Sequence, residues 1–180
     1  MRDTGIVRRI DELGRVVIPK EIRKTLRIKE GDPLEIYTDK EQLVFTKYSP
    51  IQSIETFAKS VCEGVYEVTE TPCYITDTNT VLCVAGGKKE YVKKHISAKL
   101  EKALKERKSL VLCKEEGAFV IPVCIEEDLE IENQLIVPII CNGDCFGSII
   151  LINKERSKKF NSADVKLIRL GASILARQFE

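Results

Sequence analysis

A chain of 180 residues, 43% of them hydrophobic, suits one medium domain or two small ones and carries enough apolar side chains for a packed core. Its 29 lysines and arginines nearly balance 28 aspartates and glutamates, and the charges are evenly mixed after residue 50, which argues against a disordered tail. No apolar run reaches the roughly 18 residues of a membrane helix, and Met1-Arg2-Asp3-Thr4 opens without the apolar stretch of a signal sequence, so a cytoplasmic location is expected.

The near-neutral total hides a strong local asymmetry. Nine bases (Arg2, Arg8, Arg9, Arg15, Lys20, Arg23, Lys24, Arg27, Lys29) face four acids up to Lys29, and over residues 30–50 two bases face five acids. A basic face of this kind attracts a polyanion. Gly5–Ile10 and Arg15–Ile18 read as two β-branched strands joined through Gly14. Pro19 suits the first position of a helix, giving a short basic helix from Pro19 to Leu26. Turns at 30–33 and 39–41 then bracket strands around Leu34–Tyr37 and Leu43–Phe45. Fifty residues with no cysteine bury too little surface to fold alone, so a second copy is expected to supply the missing core.

Within this stretch, TGIVRRIDELGRVVIPKEIRKTLRI followed by a Gly31-Asp32 turn and Leu34-Glu35-Ile36-Tyr37 resembles the AbrB-type swapped-hairpin DNA-binding domain of bacterial transition-state and sporulation regulators. That resemblance implies an interleaved dimer that binds double-stranded DNA and regulates sporulation genes as activator or repressor. Arg8, Arg9, Arg15, Arg23 and Lys24 are the expected DNA contacts, because arginine's planar fork grips a phosphate or a guanine edge and lysine adds a point charge. Tight base-reading motifs are absent, so phosphate contacts and DNA shape are expected to dominate recognition. An antitoxin-like autorepressor is the alternative within the same fold, although such chains end in a toxin-wrapping tail rather than a folded domain.

Ser49-Pro50-Ile51-Gln52 reads as a capping box opening a helix to about Thr69. Its apolar positions Ile51, Ile54, Ala58, Val61 and Val65 form a stripe that either covers its own domain or serves as a linker seam between subunits; we favour the seam. From Cys73 onward apolar strands are expected at Cys73–Thr76, Val81–Ala85, Ala118–Ile125, Gln134–Cys141 and Phe146–Ile152. Helical stretches fall near Lys88–His95 and Ser97–Arg107, and a last helix spans about Ala163–Phe179. This order is α+β. It resembles a GAF domain, with the hairpin from Leu135 to Lys154 the closest local likeness. The division is therefore residues 1–50 for DNA, 51–69 for linkage and dimerisation, and 70–180 for a GAF-like regulatory domain. Two apolar stripes, Ile51–Val65 and Val165–Phe179, predict a homo-oligomer beyond the dimer, a tetramer.

No catalytic motif is present, and the expected reading is a regulator that is not an enzyme and carries no cofactor. Seven cysteines in an unsignalled chain read as reduced, buried thiols. Cys141 and Cys145 form one close pair, and His95 stands in a Lys-rich helix, which is too little for a metal site. GAF domains that reduce free methionine sulfoxide make a thiol reductase the catalytic alternative, with Cys83, Cys113 or Cys124 as nucleophile and resolving thiol. Apolar neighbours at those positions raise a thiol pKa and argue against it. A small-molecule ligand under a roof formed by Lys88–Glu116 is a further expectation.

Overall fold

The computed structural model describes residues 4–125 and 130–179. The chain divides into two compact units, Met1–Tyr48 and Ser49–Glu180.

In the first unit a short helix α1 (Lys20–Thr25) precedes a hairpin of β1 (Leu34–Asp39) and β2 (Gln42–Lys47), paired antiparallel from Leu34↔Lys47 to Asp39↔Gln42. Pro19 sits one position earlier than expected, at the N-cap with ψ 149°, because its ring fixes φ while its extended ψ still belongs to the incoming chain. The larger departure is at Gly5–Ile10 and Arg15–Ile18, where no strand forms. A strand exists only where its N–H and C=O groups meet a neighbouring strand, and within one copy these two runs have no ladder. They are joined by a turn in which the Gly14 N–H donates to the Asp11 carbonyl at 2.9 Å, with Gly14 at φ +74°. The hairpin is tied to the end of α1 by Lys47, whose ammonium donates to the Arg27 carbonyl and pairs with Asp32 at 3.3 Å.

The second unit is built on a five-stranded antiparallel sheet in the order β4-β3-β7-β6-β5. Its strands are β3 (Cys73–Asp77), β4 (Val81–Ala85), β5 (Leu110–Cys113), β6 (Asn133–Cys141) and β7 (Asp144–Asn153). Both faces are covered, which is why β6 and β7 read as unbroken apolar runs. Leu135, Val137, Ile139, Ile149 and Leu151 point to one face, where α2 (Pro50–Ser53), α3 (Glu55–Thr69) and α5 (Ser162–Ala176) close the core. Ile136, Ile150 and Ile152 point to the other, under α4 (Ala98–Lys105) and the segments around Tyr91 and Val123. Asn142 and Gly143, at φ +49° and +86°, make the tight turn between β6 and β7. Gly147 allows β7 to lie against β3: a Cβ there would stand 1.9 Å from the Thr76 carbonyl oxygen.

Several expectations are corrected here. The capping box at Ser49 does not form as read: the Ser49 hydroxyl donates to Asp77 at 3.0 Å, and the Gln52 side chain lies outside what is described. The helix is broken at Ile54, with φ −111° and ψ 27°, giving α2 and α3 in place of one rod. Ala118–Ile125 is not a strand. Pro122 has no N–H to give a ladder, and the buried Gln134 side chain bonds both the N–H and the carbonyl of Ile121, at 2.9 and 2.8 Å. Its place at the sheet edge is taken by β5. His95 is not helical but lies in an isolated bridge to Thr80, with only a single short turn at Lys89–Tyr91 before it.

The two apolar stripes are also spent differently from the seams expected. Ile51, Ala58, Cys62 and Val65 are buried against the sheet of their own unit, as are Ile168, Ala172 and Leu175. What remains outside is a second, flanking row, including Phe57, Val68, Leu170 and Ile174, each 37% exposed or more.

Candidate nucleic-acid interface

All five basic residues expected to contact DNA are exposed, and all lie in the first unit. Arg8 and Arg9 stand in the extended segment before the turn, and the Arg8 guanidinium reaches back to the Val7 carbonyl at 3.4 Å. Arg15 follows the turn. Arg23 and Lys24 occupy the last turn of α1, where positive charge also complements the helix dipole. Arg2 lies outside the described residues.

Arg15 is the most constrained of the five. Asp11 accepts the backbone N–H groups of Leu13 and Arg15 at 3.0 and 2.8 Å, and its second oxygen accepts Arg15 Nε at 2.7 Å. The bonds from Arg15 hold the Asp11 carboxyl below the usual aspartate range. Asp11 is thus the acid that pairs with Arg15. The bond holds the guanidinium through Nε on a side chain that is 70% exposed, and it offsets part of its charge. An Asp-x-x-x-Arg spacing across a Gly turn is the signal that sequence reading overlooked.

In the second unit the thiols are placed against chemistry. Cys62, Cys73, Cys83, Cys113, Cys124 and Cys141 are buried, no disulfide joins the cysteines among the described residues, and Cys62 donates to the Cys73 carbonyl at 3.4 Å. The hydrogen bond with Cys73, aided by burial, pushes the Cys62 thiol up, and the hydrogen bond with Cys62 together with burial pushes the Cys83 thiol up, both away from thiolate. Among the described residues no three His, Cys, Asp or Glu side chains cluster as a metal site. The Lys88–Glu116 segment does cross the sheet, but Tyr91, Leu100 and Leu104 from it fill the space against Tyr74, Ile136 and Ile150. No described helix is long and apolar enough to cross a membrane.

Comparison with known proteins places both units. Residues 53–180 match the family described as stage V sporulation protein T C-terminal, transcription factor, and residues 7–53 match the antidote-toxin recognition MazE, bacterial antitoxin family. Over its whole length the chain is 40% identical to stage V sporulation protein T of Bacillus subtilis (strain 168), covering 99% of that protein. Its first part is 62% identical over 50 residues to the transition state regulatory protein AbrB of the same organism, across 28% of this chain and 52% of that one. Among solved structures, a GAF domain from an Acinetobacter phosphoenolpyruvate-protein phosphotransferase shares the fold with a TM-score of 0.55 at 14% identity, covering 71% of this chain and 86% of that one. A free methionine-R-sulfoxide reductase from Thermoplasma acidophilum shares it at TM-score 0.53 and 14% identity, over 71% of this chain and 93% of that one, a likeness of fold alone. With an AbrB-like DNA-binding unit ahead of a GAF-like unit, the chain belongs to the stage V sporulation protein T family, transcription regulators of sporulation.

Proposed function

We propose that this regulator acts as a homotetramer whose paired first units hold duplex DNA through Arg8, Arg9, Arg15, Arg23 and Lys24. One observation carries the reading: no residue from 4 to 48 is buried, although twelve large hydrophobic side chains in that stretch are exposed, among them Val7, Val17, Leu13 and Ile10 at 65% or more. Ordering a residue costs about 1.5 kcal/mol, and a single copy hides almost nothing from water to offset it. A second copy covers the apolar side chains and supplies partner strands for Gly5–Ile10 and Arg15–Ile18. The same pairing doubles the basic residues into one continuous surface.

The second units pair through the outer row of α3 and α5. Gly171 faces Val61 and Val65 across these two helices, so they lie side by side. Phe57 and Val68 on one and Leu170 and Ile174 on the other are left exposed. Pairing first units with one neighbour and second units with another gives four chains and two DNA-binding faces, which raises affinity through effective concentration. The raised thiol pKa values and apolar burial favour a non-enzymatic role, and the protein works in the cytoplasm. The match of residues 7–53 to an antitoxin family keeps autorepression as a second mode of DNA binding by the same surface.

A fragment of residues 1–50 tests the first pairing: it should sediment as a dimer, melt at temperatures that rise with concentration, and bind duplex DNA more weakly than the full chain. A folded monomer would sink the interleaved arrangement. For the full chain, light scattering should give a tetramer, and Leu170→Asp with Ile174→Asp should reduce it to a dimer; a concentration-independent dimer before substitution removes the second pairing.

A further inference from the structure

The helical face of the sheet is covered unevenly. α3 packs against β4 and β3, and α5 packs chiefly against β6, one strand in from the edge strand β5. Val111, opposite Leu135 in the ladder and therefore on this face, is 48% exposed. Between the flank of α5 that faces away from α3 and the β6 strand the surface falls into an open cleft of about 740 Å³, within the size range of small-molecule sites.

The lining of this cleft has a definite chemistry. Arg107, Lys108, Arg169 and Arg177 contribute four positive charges, and no carboxylate lines it. The floor is apolar, from Val137, Pro138, Ala172 and Ala176. Arg169 is exposed and is held by a hydrogen bond from its Nε to the Ser109 hydroxyl at 3.2 Å, a bond that uses one of its five N–H donors. The only acid paired with any of the four, among the described residues, is Asp144, 3.6 Å from Arg107 and itself 76% exposed, where an ion pair contributes little. Like charges brought together over an apolar floor repel one another at a cost to the fold, and an anion relieves that cost.

We propose that this cleft binds a small amphipathic anion, a phosphate or carboxylate group on a short apolar body. The charged group meets the guanidinium forks of Arg169 and Arg177, whose geometry suits a bidentate oxyanion, and the apolar body lies on Ala172, Ala176 and Val137. The convex backbone of a DNA duplex fits poorly against a recessed, apolar-floored site, so a small ligand is favoured over nucleic acid. Arg107, Lys108 and Ser109 come from the Lys88–Glu116 segment, but the space that its earlier part covers on the other face of the sheet is filled by Tyr74, Tyr91, Leu100 and Leu104.

Calorimetric titration of the full chain with phenyl phosphate, inorganic phosphate, benzoate and benzyl alcohol tests the inference. Phenyl phosphate and benzoate, which carry both charge and ring, should each saturate one site per chain, with phenyl phosphate several-fold tighter than inorganic phosphate and benzyl alcohol silent. The preferred one of the two anions assigns the natural ligand to phosphates or carboxylates. Arg169→Gln and Arg177→Gln, each tested for an unchanged urea midpoint, should weaken binding about tenfold or more apiece, the loss expected for a charge-assisted hydrogen bond. Lys108→Gln serves as a further variant, and Lys159→Gln, remote from the lining, should change nothing. No saturation in the low-millimolar range overturns the proposal, and so does binding that survives both arginine substitutions. A loss of affinity for random duplex in Arg169→Gln and Arg177→Gln, without phenyl phosphate binding in the parent, identifies a DNA-contact surface and equally overturns it.

Discussion

Replacing Arg23 and Lys24 together by alanine isolates the electrostatic part of DNA binding. Both side chains are exposed in the last turn of α1, and alanine favours a helix, so the melting midpoint should stay where it is. If each residue meets one phosphate, a dimeric face loses four contacts. Each contact contributes about 0.9 to the slope of log affinity against log salt, so the slope should become shallower by about 3.6. Between about 50 and 200 mM salt the ratio of parent to variant affinity then shrinks on the order of a hundredfold. Fluorescence anisotropy across a salt series, with one preferred and one random duplex, reads this directly. Equal losses on both duplexes mean phosphate contacts; a loss of about 1–3 kcal/mol confined to the preferred duplex means that one side chain reads a base edge. Arg15→Ala should move the slope less, because Asp11 at 2.7 Å already offsets part of that charge. Arg8 and Arg9, neighbours in an extended segment, point to opposite sides, so one should matter and the other little. Unchanged affinity in a combined Arg15→Ala, Arg23→Ala, Lys24→Ala variant would refute the assignment of this face.

Gly147→Ala should cost about 3 kcal/mol or more by urea denaturation of the full chain, because its methyl group would stand 1.9 Å from the Thr76 carbonyl and force β3 and β7 apart; a loss below about 1 kcal/mol would contradict that packing. Gln134→Leu leaves the Ile121 N–H and carbonyl without their partners, and a cost of about 3 kcal/mol with faster amide exchange at Ile121 is expected, whereas unchanged exchange would place those bonds elsewhere. Asp11 has a depressed pKa, so its ordering of the turn is complete above the ordinary aspartate value of 3.8 and is lost as pH falls through the lower folded value; the Arg15 amide resonance should titrate below 3.8, and Asp11→Asn should abolish the transition. Cys62 and Cys83 should resist alkylation in the native chain at neutral pH, and Cys83→Ser should leave DNA affinity unchanged; rapid labelling, or a methionine sulfoxide reductase activity lost in Cys83→Ser, would move the second unit toward catalysis.

Residue order alone carried the DNA-binding unit, because its signals are local: a Gly-marked turn, a proline at a helix start, and nine bases crowded before residue 30. It also carried four of the five sheet strands of the second unit, since unbroken runs such as Leu135–Cys141 have few other ways to hide from water. It even held the Asn161 and Asp164 pair that caps α5 reciprocally, a spacing that went unread. What it lacked was every decision taken between distant parts of the chain. Gly5–Ile10 and Arg15–Ile18 have the residues of strands and no ladder, because a strand is a property of two segments and one copy does not pair these two. Ala118–Ile125 has the hydrophobicity of a strand, yet Gln134, thirteen residues beyond Ile121, takes over the backbone partners there. The stripe from Ile51 to Val65 has a seam's periodicity, and periodicity reports that a face is buried without naming what buries it. Only the packed sheet decided that its own strands occupy that face, leaving Phe57, Val68, Leu170 and Ile174 outside and an open, basic cleft beside α5.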